Sequence, residues 1–290
     1  MQTILSIVIA TLVSGSLFAL VAAGLSLVWG TLGVFNFAQG SLLMLGAYAA
    51  YFLGGNALGR TGLLLAVPAA LVLLGQLGVV AYLLLVRPFI GSPTGELAVI
   101  IATLAAGTLF ENGAQQFFTA QFRKLPPILT GHVDIAGNSI AWQQVITIFV
   151  APAILLGLAS FLKLSKTGFA VRAVAQNHDS ALLLGIPVNR IYMLVFFVAT
   201  LLAALAGILF GGQYYVTPNM GGDLMLQAFI VVVFGGLGSL TGTVIAAYVV
   251  GLITAISNFY IGLFWTPAVL FAFLFVAVIV RPSGLVASSK

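Results

Sequence analysis

Residues 34–48 read VFNFAQGSLLMLGAY and place polar groups inside one of the most apolar parts of the chain. Asn36, Gln39 and Ser41 stand among Phe, Leu, Met and Ala, together with two glycines. A polar side chain in hydrocarbon needs a hydrogen-bonding partner or a water-lined cavity. The stretch therefore predicts a membrane segment whose polar groups either border a cavity or bond to a neighbouring helix.

The composition of the whole chain requires a bilayer. Of its 290 residues, 62% are hydrophobic and 5% are charged, and the mean hydropathy is +1.22, whereas a soluble domain carries about 25% charged residues. The absence of cysteine excludes disulfides and thiolate metal sites. The basic residues behind the net charge of +5 are scattered between apolar spans, so they indicate topology and not a nucleic-acid surface.

Eight apolar windows have the length of a spanning helix. They lie near 4–29, 36–53, 62–86, 97–119, 141–162, 191–211, 225–258 and 262–280. The seventh is too long for one crossing and contains Gly235, Gly236 and Gly238, so we expect a short helix, a glycine break and a full helix. The predicted fold is an all-α integral membrane protein, a polytopic bundle of about eight transmembrane segments with broken helices.

The distribution of Lys and Arg predicts the orientation. The longest basic loop, 163–190, carries four basic residues against one acid, Asp179. Placing it in the cytoplasm puts the C-terminal tail inside, the N-terminus outside and seven of the ten basic residues on the cytoplasmic side. The exceptions are Arg60, Arg123 and Lys124. The polar loop 120–140, with apolar–polar alternation, then predicts a small extracytoplasmic cap.

The sequence lacks the residues that catalysis or ion-coupled transport would require. The sequence has neither a GxxxxGK[ST] phosphate loop nor an HExxH motif. His132 and His178 fall in loops on opposite sides of the predicted membrane. Among the five acids only Glu111 lies deep in a predicted span, although proton- or sodium-driven carriers need ionisable groups along their path. We predict a transport protein with no catalytic residue, no metal and no cofactor, driven by another chain.

Four motifs in order resemble the permease subunits of branched-chain amino acid ABC importers, the LivH-like family. They are GLSLVWG at 24–30 followed by NFAQG at 36–40 and MLGAY at 44–48, the loop GFAVRAVAQNHDSALLLGIPVNRI at 168–191, GGLGSLTG at 235–242, and RPSGL at 281–285. The resemblance runs from about residue 15 to residue 285. It does not specify the solute, because permeases for urea and short amides have similar sequence motifs.

Two positions depart from the family pattern. The family usually has His where Gln39 stands and often Glu where Ser41 stands. Both changes replace an ionisable group with a neutral one, so the branched-chain amino acid preference does not transfer directly.

The resemblance implies a single transmembrane permease domain, 1–290, in a bacterial plasma (inner) membrane. It implies a second, LivM-like permease subunit, two ABC ATPase subunits that use the ATP, and an extracytoplasmic solute-binding protein. The cargo would be a branched-chain or other small amino acid. The alternatives are urea or a short amide, or a self-sufficient channel or carrier for a small neutral solute, which would not need the loop 163–190.

The loop also predicts local structure from its own residues. Its Ala- and Leu-rich content favours helix, Asn177 and its neighbours interrupt the middle, and Gly185 with Pro187 just beyond marks the end. We expect two short helices with a turn and a left-handed Gly185. The predicted ATPase-coupling residues are Gly168, Arg172, Ala173, Asn177 and Gly185. The alternative is a juxtamembrane helix held near anionic lipid by its positive charges.

The polar strip of the opening stretch has two interpretations. If the helix already includes Asn36, then Gln39 and Gly40 lie beside it, and Met44 and Tyr48 continue the same stripe. Asn36, Gln39, Gly40 and Ser41 are the candidate residues of a solute translocation path. The alternative is packing between helices, with amides bonding across and glycines allowing close approach; for Gly40 and Ser41 the residue type favours packing.

Overall fold

The computed structural model describes residues 2–55, 59–119, 121–126, 129, 131–135, 138–282 and 284–286. The helices are α1 Gln2–Leu32, α2 Gln39–Gly55, α3 Gly59–Ala81, α4 Gly95–Phe118, α5 Trp142–Leu164, α6 Lys166–Gln176, α7 His178–Leu183, α8 Val188–Gln213, α9 Met220–Gly235, α10 Leu240–Tyr260 and α11 Thr266–Val280. A π-helical turn, Tyr82–Val86, and a 3₁₀ turn, Arg87–Phe89, extend α3, and strands β1 His132–Ile135 and β2 Asn138–Ala141 precede α5.

The helices confirm a polytopic membrane protein. Within the described residues, six helical segments are long and apolar enough to cross a membrane, and α9 and α11 are shorter apolar helices. The predicted segment 225–258 is two helices, α9 and α10, separated at 236–239, as expected from its glycines. Gly236 and Gly238 have positive φ angles of 101° and 80°, a conformation that favours glycine. Gly235 is helical and touches the backbone of Gly242.

Helices α1 and α8 form the buried centre of the bundle. The middle of α1 is almost inaccessible, and α8 is buried along most of its length. Small residues allow backbones to touch on both sides of this pair. A Cβ on Gly46 of α2 would lie 2.5 Å from the Cα of Ala204 in α8, and one on Gly251 of α10 would lie 2.7 Å from the amide nitrogen of Gly15 in α1. Such close approaches replace the hydrophobic effect as the source of cohesion inside a bilayer.

The basic loop 163–190 and the strand hairpin lie at opposite ends of the bundle. At one end, a single cavity is lined by Thr31 of α1, Lys163 of α5, Arg172 of α6 and Gly238 between α9 and α10. The described part of the tail reaches this end, since the Leu285 amide donates to the Phe234 carbonyl at 2.8 Å. We call this end, which carries 163–190 and 281–286, the basic end.

The N-terminus and the strand hairpin lie at the opposite end. The Asn138 side-chain amide donates to the Gln2 carbonyl at 3.1 Å, which ties β2 to the start of α1. The strands are antiparallel, with Val133 opposite Ile140, and they account for the alternation in the predicted cap. The predicted partition of the loops between two ends is therefore present in the fold. Which end faces the cytoplasm remains a prediction.

Candidate functional site

The opening stretch contains a non-helical link between α1 and α2. The Gly33 amide donates to the Trp29 carbonyl at 2.8 Å, with Gly33 at a φ of 70°, and α1 ends there. The chain then continues without regular secondary structure to Asn36, whose Oδ1 accepts from the Ala38 amide at 3.2 Å. The side chain thus caps the chain entering α2, and the helix begins at Gln39. The condition for a helical face shared by Asn36, Gln39 and Gly40 is not met, because the helix does not include Asn36. Asparagine favours this local turn over a helix interior.

Helix α2 begins about halfway through the bundle. The Gln39 side chain donates to the carbonyl of Ala199 at 3.0 Å, and Ala199 lies about 16 Å along α8 from its first residue at 1.5 Å per residue. A Cβ on Gly24 of α1 would lie 2.5 Å from the Gln39 Nε2 atom. Gln39 is therefore enclosed by α1 and α8 at the depth of the membrane interior.

Helix α9 begins against α2. A Cβ on Gly40 would lie 2.5 Å from the carbonyl oxygen of Gly221, and one on Gly221 would meet the carbonyl of Gly40. The first turns of two interrupted helices are in backbone contact, and each brings the positive end of its dipole to this level. Irregular backbone at membrane depth is tolerated where it is buried in protein or lines a cavity.

Ser41 ties α2 to α4. Its hydroxyl contacts the Gly107 carbonyl at 3.1 Å and the Glu111 carboxylate at 3.3 Å. One turn earlier, the Phe37 amide donates to the Thr103 hydroxyl at 3.3 Å. Ser41 is 2% exposed and Thr103 is fully buried. Ser41 and Gly40 therefore both make contacts between helices in this structure.

Asn36 and Gln39 differ because each keeps one polar atom without a partner. In the part of the chain that the structure describes, Asn36 Nδ2 and Gln39 Oε1 are buried and make no hydrogen bond. Their residues are 1% and 0% exposed. An unsatisfied buried polar group costs about 1–3 kcal/mol. One free donor and one free acceptor thus lie near the meeting point of α2 and α9, enclosed in this conformation.

The loop at the basic end has the predicted two helices. The Ser165 hydroxyl accepts from the Gly168 amide at 2.8 Å and starts α6. The Asn177 side chain accepts from the Ser180 amide at 2.8 Å and starts α7. Gly185 closes α7 at a φ of 77° and donates to the Leu182 carbonyl at 3.0 Å. Gly168 packs against the end of α5, where a Cβ would lie 2.6 Å from the Cα of Leu162.

The apolar side of α6 faces inward. Val171 and Val174 are 3% and 2% exposed and pack in one cluster with Tyr192 and Val195 of α8. Arg172 is exposed, Ala173 is half-buried, and the Arg172 guanidinium lies 4.5 Å from the Phe169 ring centre and donates to the Lys163 carbonyl at 3.4 Å. Val171 and Val174 are therefore not free for a partner, because α8 already covers them.

Three consecutive exposed leucines lie at the end of α7. Leu182, Leu183 and Leu184 are 50%, 89% and 78% exposed. We call these three residues the leucine tip. Sequence reasoning took them as helix-forming content and missed their exposure, although three leucines directly before Gly185 and Pro187 were the available signal.

A polar contact connects α7 to the bundle. His178 Nδ1 lies 2.8 Å from the Tyr192 hydroxyl of α8, and their rings stack. Tyr82, the first residue of the π-helical turn, donates to Asn189. The α6–α7 loop is thereby joined through α8 to the irregular end of α3, which the sequence did not predict. π-helical turns are frequent at functional sites.

A family model described as "Branched-chain amino acid transport system / permease component" matches residues 7–280. The chain belongs to this family. Two curated relatives agree over nearly the full length. BraD of Pseudomonas aeruginosa, a high-affinity branched-chain amino acid transport system permease protein, is 29% identical over 93% of this chain and 92% of its own. LivH of Escherichia coli K12, described in the same words, is 30% identical over 93% of this chain and 91% of its own.

A solved structure, PsaBC from Streptococcus pneumoniae in complex with Fab, covers 98% of this chain and 93% of that chain, with 16% identity and a TM-score of 0.49.

Family membership confirms the resemblance drawn from the four motifs. The chain is a multi-pass membrane protein of a permease family, and its described relatives are transport proteins. The leucine tip, the capped α6–α7 loop and the enclosed polar strip are thus features of a permease chain.

Proposed function

We propose that this permease chain carries a branched-chain or other small amino acid inward across a bacterial plasma membrane, with ATP hydrolysed by partner subunits. The family description and the names of its relatives supply the solute class. The observation that carries the ATP-driven part is the leucine tip. A chain without a phosphate-loop motif holds three exposed leucines on a capped, glycine-terminated loop at its basic end.

The leucine tip is the docking element for an ABC ATPase subunit. The leucines at the end of α7 lack the neighbours that bury Val171, Val174 and Ala181 in the same loop, and a groove on a partner would remove them from water. Arg172, Ala173 and Gly168 lie on α6, behind the tip, and transmit its movement to α5 and α8. Asn177 and Gly185 fix the angle of α7. Two ATPase subunits, a LivM-like second permease and an extracytoplasmic binding protein complete the importer.

The basic end faces the cytoplasm in this proposal. It carries Arg87, Lys163, Lys166, Arg172, Arg190 and Arg281. Positive residues concentrate in cytoplasmic loops. The N-terminus and the strand hairpin then lie outside, where a binding protein delivers its ligand.

The solute route passes the point where α2 and α9 meet. The free donor of Asn36 and the free acceptor of Gln39 match groups that a zwitterionic or amide solute offers. Helix N-termini at membrane depth favour an anionic group such as a carboxylate. Because both side chains are enclosed here, α9 must move away from Gly40 for the solute to pass.

Urea or a short amide is the second candidate cargo. Gln39 and Ser41 are neutral where the family usually has His and often Glu, so the strip provides no ionisable group for an amino acid. Cells that carry the complete importer should distinguish the two. Uptake of labelled leucine supports the first cargo, and uptake of labelled urea with no uptake of leucine supports the second.

Variants at the strip test the route. We expect Asn36→Leu and Gln39→Leu to preserve assembly and ATP hydrolysis while lowering uptake, and Gln39→His to change the preference among solutes. Thr103→Val removes the acceptor of the Phe37 amide and the hydroxyl that donates within α4 to the Val99 carbonyl at 2.8 Å. It is the packing control and should lower thermal stability instead. Wild-type solute ratios in all three strip variants would assign Asn36 and Gln39 to packing.

A further inference from the structure

A cavity of about 270 Å³ at the basic end holds two positive side chains and no described acid. It lies between α1, α5, α6 and the start of α10, and its lining includes Ser26, Lys163, Arg172 and Thr241. Within the described residues, neither Lys163 nor Arg172 forms an ion pair. The cavity is separate from the strip at Asn36 and Gln39 and from the leucine tip.

Local contacts account for the position of both cations without neutralising either charge. Lys163 stands in the last turn of α5, where a helix C-terminus favours a cation. Arg172 lies over the Phe169 ring and reaches the Lys163 carbonyl at 3.4 Å, a long contact that leaves other N–H groups free. The carbonyl groups at the end of α1 are partly occupied, because the Thr31 hydroxyl lies 2.9 Å from the Leu27 carbonyl and 3.1 Å from that of Val28.

The opposite wall offers further donors. The Ser239 hydroxyl caps α10 by accepting from the Gly242 amide at 3.2 Å. Leu240 and Thr241 line the cavity in the first turn of this helix of 21 residues, where amide groups have no intrahelical acceptor and the dipole is positive. Helix N-termini of this kind bind phosphate groups.

A buried polar group beside the cavity is unsatisfied. Ser26 is one of the lining residues and is 1% exposed, and its hydroxyl oxygen is buried with no hydrogen-bond partner in the described structure. A buried hydroxyl without a partner costs free energy unless a ligand or water completes it. Two cations, the amides of a helix N-terminus and an unpartnered buried hydroxyl therefore lie around one cavity at the basic end.

We propose that this cavity binds a phosphate group, that of an anionic phospholipid headgroup. Lys163 and Arg172 hold the charge, the first turn of α10 supplies amide donors, and Ser26 donates to the innermost oxygen. Because Val171 and Arg172 of α6 also line the cavity, an occupied site fastens the coupling loop to α1 and α10. The binding itself does not depend on the proposed solute or on the ATPase partners.

Lipid binding to the purified full chain tests the site. Native mass spectrometry would compare phosphatidylglycerol with phosphatidylcholine for the wild type, the double variant Lys163→Gln/Arg172→Gln and the matched control Lys166→Gln/Arg190→Gln. The wild type should prefer phosphatidylglycerol. Loss of two basic groups at an anionic surface should weaken its binding about 30-fold, and the control should retain most of it, since Lys166 and Arg190 lie outside the cavity lining.

Ser26 gives an independent test. Ser26→Ala should leave thermal stability in lipid-free detergent unchanged or higher, because an unsatisfied hydroxyl is removed, and it should reduce the stabilisation gained from phosphatidylglycerol. If Ser26 had only a structural role, Ser26→Ala would lower both the thermal stability in lipid-free detergent and the stabilisation gained from phosphatidylglycerol. Inorganic phosphate without lipid distinguishes a lipid headgroup from a free anion as the ligand. If phosphate alone stabilises the chain, and this stabilisation requires Lys163 and Arg172, the cavity is a phosphate site whose ligand is a free anion.

Three results would overturn the proposal. One is equal phosphatidylglycerol binding by the wild type and Lys163→Gln/Arg172→Gln. Another is equal loss in the Lys166→Gln/Arg190→Gln control, which would indicate charge alone. The third is unchanged lipid binding with loss of ATPase assembly in Lys163→Gln/Arg172→Gln, which would assign the two cations to a partner protein.

Discussion

Gly40 and Gly221 bring the first turns of α2 and α9 into backbone contact. A Cβ on Gly40 would lie 2.5 Å from the Gly221 carbonyl oxygen and 2.8 Å from the Met225 Cβ. Two helices that both begin inside the bundle thus meet where neither has a side chain. This contact makes the enclosed conformation of the polar strip possible.

Gly40→Ala should destabilise the chain. The added methyl group meets backbone and not a flexible side chain, and overpacking of this kind costs about 1–3 kcal/mol. Thermal unfolding in detergent would measure the loss. The matched control is Gly222→Ala, whose Cβ would have no neighbour within 4 Å. Equal stability of the two variants would show that α2 and α9 do not touch as described.

Gly185 provides a test of the coupling loop. At a φ of 77° a β-branched residue is strained, whereas asparagine tolerates this conformation. We expect Gly185→Val to reach normal membrane levels but lower the ATPase stimulation caused by loaded binding protein. Gly185→Asn should retain most of the stimulation. If Gly185→Val keeps full stimulation, the angle of α7 does not matter for coupling.

The leucine tip gives a prediction without a folding penalty. Leu183 is 89% exposed, so Leu183→Gln removes little packing and should change thermal stability by no more than about 0.5 kcal/mol. Copurification of ATPase subunits should nevertheless fall sharply. Leu263→Gln is the control, because Leu263 is 80% exposed at the opposite end. Loss of ATPase subunits in both variants, or in neither, would refute docking at the tip.

Single cysteines test the orientation, since the natural chain has none. His132→Cys lies in the exposed hairpin and Lys166→Cys at the exposed start of α6. An impermeant thiol reagent added to intact cells should label position 132 and spare position 166 until the membrane is permeabilised. Labelling of position 166 in intact cells would reverse the orientation.

Structural features that depend on neighbouring residues in the chain were predictable from the sequence. Apolar windows located each long helix of the described residues, Gly236 and Gly238 marked the break between α9 and α10, and Asn177 with Gly185 defined the two helices of the α6–α7 loop. Each of these features depends on residues a few positions apart. Their agreement with the structure follows from capping, positive φ and the length of a membrane crossing.

Features set by distant neighbours were not predictable. Asn36 occurs in a run compatible with helix, and only its turn with Ala38 and the contact of Phe37 with Thr103 show that the helix starts later. Val171 and Val174 form an apolar face, and periodicity does not tell whether α8 or a partner covers it. The contact between Gly40 and Gly221 joins residues 181 positions apart, which no local pattern indicates.

Reconstitution into proteoliposomes tests the central claim most directly. The measurement is uptake of labelled leucine by vesicles that contain this chain with its partner permease and ATPase subunits, with loaded binding protein outside and ATP inside. The account predicts uptake that requires ATP and every subunit, with no flux through vesicles that contain this chain alone. Leucine or urea flux through the chain by itself, without ATP, would contradict it and identify a self-sufficient channel or carrier.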